Sequence, residues 1–484
     1  MGILVKLFKQ TFVYGLATIL PRAFSFIIVP LYTSVMAPSL FGEVQLIFSS
    51  FALFNVLLAY GMETAFFRFF SAHKDQNSVV STALISLGVS TGAFCVFAML
   101  AQQQLATLLE IDPRYMKYVI FILALDALVI IPFAKLRAKG RAIRYAIIKL
   151  INVVVNLALN LWFLLILPTL DTNFWSVLYQ PNYEIMYILM ANMLASGVTL
   201  ILMIGPYFES NYVFDLNLWK KMIRYALPIM IAGIAFTINE VFDRILLAKL
   251  LPPDIAKAEM GKYAGCYKLA IFMTLFGTAF RLGIEPFFFS HSRTVNPQKT
   301  YAKITNYFVI LGSLLLLTIV VFSDPLKVLI IRDEAYWEAM SIVPIVVLAS
   351  FCLGIYHNLS VWYKVTDRTF FGAYISAMGA VLTLVINYLL IPKIGYMASA
   401  LATLVAYASM MIVSYLLGQQ YYPIPYNMRK IGFYSGLALV FAAMSFYVFE
   451  RNLWVGTAML FLFLIILYRL EGNNLKTLFL KREA

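Results

Sequence analysis

Three arginines, Arg22, Arg244 and Arg281, stand inside long apolar stretches, together with the acids Glu63, Asp126, Glu240, Asp243 and Glu285. At mid-membrane a guanidinium facing lipid costs about 2.5–3.5 kcal/mol on the insertion scale, so each of these groups must face a cavity or a partner. Arginine keeps its charge and offers a planar fork of donors that fits phosphate oxygens. All three arginines are therefore candidate binders of a phosphorylated substrate that has to cross a low-dielectric barrier. Arg22 lies near the middle of its run with no acid nearby, whereas Arg244 directly follows Asp243 and lies one helical turn after Glu240, and Arg281 lies one turn before Glu285. Neighbours at that spacing share a helix face and can simply neutralise each other, which is the structural alternative.

The acids carry two readings. A carboxyl in apolar surroundings can exchange a proton or hold a cation during a transport cycle, which makes Glu240, Asp243, Glu285, Glu63 and Asp126 candidates for ion coupling or gating. Equally, Glu240, Asp243 and Glu285 can be static counterions of the arginines. Asp126 has no base near it in sequence and is read as a gate or a contact between lobes. Cys95, Cys266 and Cys352 all lie in apolar segments, and His73, His291 and His357 show no ligand spacing, so neither a disulfide framework nor a metal centre is supported. No Gly-rich phosphate loop is present, so transport powered directly by ATP within this chain is not expected, which leaves an ion gradient, of protons or sodium, a partner ATPase or downhill movement.

The elements that position these groups follow from hydropathy. Of 484 residues, 62% are hydrophobic and 12% charged, and the charges fall between apolar runs. Runs of about 20 residues suit membrane-crossing helices and are too long for barrel strands. The reading is an all-α polytopic membrane protein with fourteen spans, at 12–34, 42–66, 79–101, 116–134, 144–167, 185–206, 223–248, 264–289, 303–322, 340–362, 370–391, 396–417, 431–449 and 452–468. With the N-terminus inside, about two thirds of the 37 lysines and arginines fall on cytoplasmic loops or tails, so both termini are expected there. The basic loop at 135–144, counted together with Lys149, is the largest group. The net charge of +14 then anchors loops, and no nucleic-acid partner is implied. Lys6 and Lys9 precede a run that contains Arg22 and lacks a cleavage motif, which reads as a retained first span. Prolines 21, 132, 228 and 344 lie in or near spans and are expected to kink them. The short loops leave no room for a nucleotide-binding domain or for the catalytic loop of a glycan-processing enzyme.

The chain also repeats. Gly61-Met-Glu63-Thr-Ala-Phe-Phe-Arg-Phe-Phe-Ser71 ends the second span, and Gly283-Ile-Glu285-Pro-Phe-Phe-Phe-Ser290 ends the eighth. The basic loop at 135–144 with Asn156 and Asn160 is echoed by Lys364–Arg368 with Asn387. The offset, about 220 residues, corresponds to six spans and hence to a parallel repeat of the kind that supports alternating access. The expected organisation is an N-lobe at 1–210 with spans one to six, a C-lobe at 211–418 with spans seven to twelve, and spans thirteen and fourteen with a tail at 419–484.

Several short motifs carry a family likeness. They are Tyr14-Gly15, Pro21-Arg22, Pro30-Leu-Tyr32, Phe41-Gly42-Glu43, Tyr225-Ala-Leu-Pro228 with Asp243-Arg244, Gly261-Lys-Tyr263, and Asn387 with Pro392-Lys-Ile-Gly395 and Ala398-Ser-Ala400. In this order, across fourteen spans, the chain resembles the polysaccharide-transport branch of the multidrug/oligosaccharidyl-lipid/polysaccharide exporter superfamily, the O-antigen and capsule flippases. The resemblance implies a secondary transporter of the bacterial inner membrane that serves lipopolysaccharide or other polysaccharide biosynthesis. Its substrate would be an undecaprenyl-pyrophosphate-linked oligosaccharide moved from the cytoplasmic to the periplasmic leaflet, with a polysaccharide polymerase and assembly proteins as partners. The related lipid II flippases and multidrug/cation antiporters are the alternative; a membrane scaffold or a glycan-processing enzyme is a more distant one. The lipid II branch implies a functional arginine in the first span, matched here by Arg22, and a sodium site to which Asp243 and Asn387 correspond.

Overall fold

The computed structural model describes residues 27–73, 75–170, 179–209, 212–291 and 296–480. Thirteen helices among them are long and apolar enough to cross a membrane. In chain order they are α1 (Pro38–Ala72), α2 (Gln76–Leu100), α3 (Pro113–Ala138), α4 (Ala142–Thr169), α5 (Glu184–Leu202), α6 (Leu216–Leu250) and α7 (Pro253–Ile284). They continue as α8 (Pro297–Val321), α9 (Glu334–Val365), α10 (Phe370–Ile394), α11 (Tyr396–Tyr421), α12 (Met428–Val448) and α13 (Leu453–Glu471). Each coincides with one of the expected spans two to fourteen. The expected first span lies largely outside the described residues, with Pro21 and Arg22; its end, 27–35, is helical.

Local chemistry sets where the helices start and bend. Asp112 caps α3 by accepting from the Arg114 amide at 2.9 Å, and Pro113 occupies the first turn, where its missing N–H costs nothing. Asp215 caps α6 through the Leu218 amide at 2.9 Å. Pro132 lies just past a break in α3 at Val129 and cannot donate to the Leu128 carbonyl. The Tyr207 hydroxyl donates to that carbonyl instead, at 2.6 Å. Pro228 lies inside α6, whereas Pro344 sits in the first turn of its helix segment and interrupts nothing. In α1 the break falls at Tyr60 and Gly61; Gly61 has φ +73°, and a Cβ there would lie 2.3 Å from the Ala226 carbonyl oxygen of α6. Only glycine fits that backbone contact.

The chain divides into two compact units. The first comprises the chain up to Ala264 with Ser376–Ala402, the second Gly265–Ile375 with the chain from Thr403. In the first, Met62, Phe66, Val79, Ala83, Met222 and Ala226 form a core in which α1, α2 and α6 meet, while α3, α4 and α5 pack side by side. Here α1 and α7 also cross with their backbones touching: a Cβ on Gly42 would lie 1.9 Å from the Lys257 carbonyl oxygen, and one on Gly261 would lie 1.8 Å from that of Pro38. In the second unit α8 is central, packing on α9, α12 and α13. The Phe308 ring stacks on Phe351, and Trp362 Nε1 donates to the Ser414 carbonyl at 3.1 Å. Buried Glu471 joins α13 to α12 by accepting from Lys430 Nζ and the Tyr434 hydroxyl.

Candidate substrate cavity and buried polar network

The first unit holds a cavity of about 540 Å³ walled by α1, α3, α4, α5 and α6. Its polar lining comes from several helices at helical spacing. Lys149 and Asn152 lie one turn apart on α4, and Asn192, Ser196 and Thr199 follow one another down one face of α5. Asp126 of α3 accepts from Ser196 Oγ at 2.7 Å, and Asn152 Nδ2 donates to Thr199 Oγ1 at 2.9 Å. The Lys149 ammonium stands 4.4 Å from the centre of the Phe133 ring, where the ring face stabilises a cation. Asn55 and Asn192 also line the cavity and have no hydrogen-bond partner among the described residues. Glu63 lies on the lining and pairs with Arg137 at 2.6 Å.

Ion pairs fasten the helices around this space. Lys135 of α3, nearly buried at 7% side-chain exposure, reaches Glu209 at 3.2 Å. That hydrogen bond and the nearby ammonium hold the Glu209 carboxyl below the usual carboxylate range. At the Gly42–Gly261 crossing, Lys257 pairs with Glu43 at 3.1 Å, and Glu43 Oε1 accepts from the Asp112 amide at 3.3 Å. The hydrogen bond from the Arg114 guanidinium keeps the Asp112 carboxyl low as well.

A second feature of the same unit is a buried polar network on α6, α7, α10 and the start of α11. Asp243 accepts from the Tyr263 hydroxyl at 2.6 Å and from the Arg244 amide at 2.8 Å. Arg244, 7% exposed, donates through Nη1 to the Glu240 carbonyl at 3.0 Å and lies 3.4 Å from Asp243 Oδ1. Asn239 donates to the Ser376 carbonyl at 3.0 Å and accepts from Thr383 Oγ1 at 3.1 Å. Asn387 donates to the Thr383 carbonyl and accepts from Ser399 Oγ, both at 2.8 Å. Each of these side-chain oxygens already receives a hydrogen bond. Each keeps a further lone pair, so a bound cation could share these oxygens with the groups that now donate to them.

The residues singled out in the sequence thus separate. Glu63 and Asp126 come together on the cavity, while Asp243, Arg244 and Asn387 belong to the buried network, which Glu240 joins through its backbone carbonyl. Arg281 is in the second unit, lining a water-sized recess with His357, Asn358, Ser360 and Lys364. Arg22 and the Glu285 side chain lie outside the described residues. One assignment is corrected. Lys149 was grouped with the basic loop, but it stands inside α4 and faces the cavity, because α4 begins at Ala142 and has already made two turns there. Sequence reasoning passed over Asn152, Asn192, Ser196 and Thr199; the signal available was their recurrence every three or four residues in otherwise apolar helices.

A family model described as polysaccharide biosynthesis protein matches residues 7–280, more than half of the chain. The chain belongs to the polysaccharide biosynthesis protein family. No curated sequence matches it. Among solved structures, the chain is similar to a lipid II flippase, MurJ, in an inward closed conformation, with TM-score 0.74, 13% identity, and coverage of 95% of this chain and 99% of that one. It is also similar to an inward-facing multidrug resistance MATE family transporter of the MOP superfamily, with TM-score 0.66, 13% identity, and coverage of 82% and 94%. A Vibrio cholerae MATE transporter, VcmN, follows with TM-score 0.60, 17% identity, and coverage of 86% and 96%. The chain is therefore a multi-pass all-α membrane protein with a MurJ/MATE-like fold.

Proposed function

We propose that the protein is an alternating-access transporter that flips an undecaprenyl-pyrophosphate-linked oligosaccharide from the cytoplasmic to the periplasmic leaflet of the bacterial inner membrane. The observation that carries this reading is the cavity of the first unit. About 540 Å³ of space lined by amides, hydroxyls and charges lies among helices of membrane-crossing length, where such groups are costly unless a polar cargo or water meets them. The family's description points to polysaccharide biosynthesis, and the repeat read in the sequence at an offset of about 220 residues fits two lobes that exchange access.

In this reading Arg22, Arg281 and Arg244 handle the pyrophosphate or hold the gates. Glu63, Asp126, Glu240, Asp243, Glu285 and Asn387 couple transport to protons or sodium, with Asp243 and Asn387 as the cation ligands. Both termini face the cytoplasm, and the polymerase and assembly proteins meet the periplasmic end. A second reading has a specific observation behind it: the likeness to the lipid II flippase runs over nearly the full length of both chains. It makes lipid II, or a drug cation exchanged for protons or sodium as in MATE transporters, the cargo.

The test is reconstitution of the full chain in liposomes with leaflet-specific detection of undecaprenyl-diphosphate-linked oligosaccharide, under an imposed proton or sodium gradient. Lipid II and a cationic dye serve as competitors. Gradient-dependent movement that lipid II does not suppress supports the main reading. Suppression by either competitor favours the second, and no movement by folded protein under either gradient rejects both.

A further inference from the structure

The cavity of the first unit has an electrostatic character that does not match a diphosphate. Among its described lining residues, Glu63 is neutralised by Arg137 from outside the lining at 2.6 Å, and Asp126 is offset by one opposite charge, Lys149. The fixed charge is balanced. A diphosphate calls for a surplus of cationic donors, and two carboxylates in the same space oppose it. Amides and hydroxyls dominate instead: Asn55, Asn152, Asn192, Ser196 and Thr199, on three different helices. A side-chain amide offers donors and an acceptor side by side, and a carboxylate accepts from two neighbouring hydroxyls. That is the pattern needed to read a pyranose ring, whose hydroxyls both donate and accept. Ile229 and Met230 supply an apolar wall for the C–H face of such a ring. The volume, about 540 Å³, falls in the range of about 300–1,000 Å³ typical of ligand sites.

We infer that this cavity is a saccharide subsite: Asp126, Asn152, Asn192 and Thr199 bind the sugar hydroxyls of the lipid-linked substrate, and the diphosphate is held by cationic residues outside it. This rests on the proposal that the cargo is a lipid-linked saccharide. Asn192 is the most direct contact, since its amide carries no partner among the described residues. Asn152 and Thr199 bond each other and would exchange that bond for one to the sugar.

The full chain in lipid nanodiscs decides it, with two probes: undecaprenyl diphosphate bearing no sugar, and the same lipid bearing one hexose or N-acetylhexosamine from a small panel. Wild-type protein is expected to bind at least one sugar-bearing probe more tightly than the bare lipid. Asn192→Ala and Thr199→Val should each weaken that probe about tenfold, in keeping with the loss of a hydrogen bond in a desolvated site, and leave the bare lipid within about twofold. An unchanged apparent unfolding temperature shows that the variants are folded. Equal affinity of wild type for bare and sugar-bearing lipid overturns the subsite while leaving flipping of a lipid diphosphate intact. Equal weakening of both probes in the variants overturns it too, by placing the diphosphate in the cavity. Binding of neither probe to folded wild type rejects the lipid-linked cargo and the subsite with it.

Discussion

The crossing of α1 and α7 allows a prediction whose size follows from the geometry. An added methyl at Gly42 would lie 1.9 Å from the Lys257 carbonyl oxygen and 3.1 Å from the Gly261 amide nitrogen. Real Cβ contacts essentially never fall under 3.0 Å, so the methyl is at least about 1.1 Å too close. The obstructing atoms are backbone, so no side chain can swing aside and the two helices must separate. Separation also stretches the Glu43–Lys257 pair, now at 3.1 Å. Overpacking of this kind costs about 1–3 kcal/mol, and Gly42→Ala should sit at the upper end because relief requires a rigid-body shift. Gly261→Ala meets the Pro38 carbonyl at 1.8 Å and should cost as much. The double variant should cost clearly less than the two singles together, since helices already moved apart have room for the second methyl. Thermal unfolding of purified protein in detergent or nanodiscs, at one fixed scan rate, measures all three. Wild-type stability in either single variant, or strict additivity in the double, would refute the backbone contact.

Asp126→Asn leaves the Lys149 ammonium without one of the two carboxylates that share its cavity, so it should lower the unfolding temperature, and adding Lys149→Met should recover part of the loss; no recovery in the double variant argues against charge balance in the cavity. Tyr263→Phe removes the 2.6 Å hydrogen bond to buried Asp243 and should cost about 1–3 kcal/mol, read by the same unfolding assay, with a cost near zero indicating that Asp243 is satisfied elsewhere. Glu209→Gln should cost about 1 kcal/mol near neutral pH by leaving nearly buried Lys135 without its anion. Because the folded-state pKa of Glu209 is lowered, its contribution is present above the ordinary carboxylate pKa and is lost as the pH falls through the lower folded value. The stability gap between wild type and Glu209→Gln should therefore hold from neutral pH down to the ordinary carboxylate range and close as the pH falls further; a gap that widens on acidification contradicts the pairing.

Hydropathy alone located thirteen helices, from α1 at Pro38–Ala72 to α13 at Leu453–Glu471, but it missed the early starts of α6 at Leu216 and α7 at Pro253. A span has to satisfy its own backbone hydrogen bonds and present apolar side chains to lipid, and both requirements are met within one stretch of sequence. The acids and arginines were marked for the same local reason, since a charge in an apolar run is conspicuous. The glycines of the Phe41-Gly42-Glu43 and Gly261-Lys-Tyr263 motifs were visible as a likeness, but their reason was not: it is the mutual approach of two backbones more than 200 positions apart. The cavity is the opposite case to the spans. Asn152, Asn192, Ser196 and Thr199 are individually unremarkable polar residues, and Lys149 passes for a loop anchor. Their convergence with Asp126 depends on how α3, α4 and α5 are rotated about their axes, and that rotation is set by packing against neighbours distant in the chain. Likewise Arg244 and Asp243 read equally as cavity-facing charges or as mutual counterions until Tyr263, from the next helix, is seen to complete a buried network around Asp243. Sequence determined which groups are too polar for lipid; only tertiary structure decided which of them face a shared space and which satisfy one another.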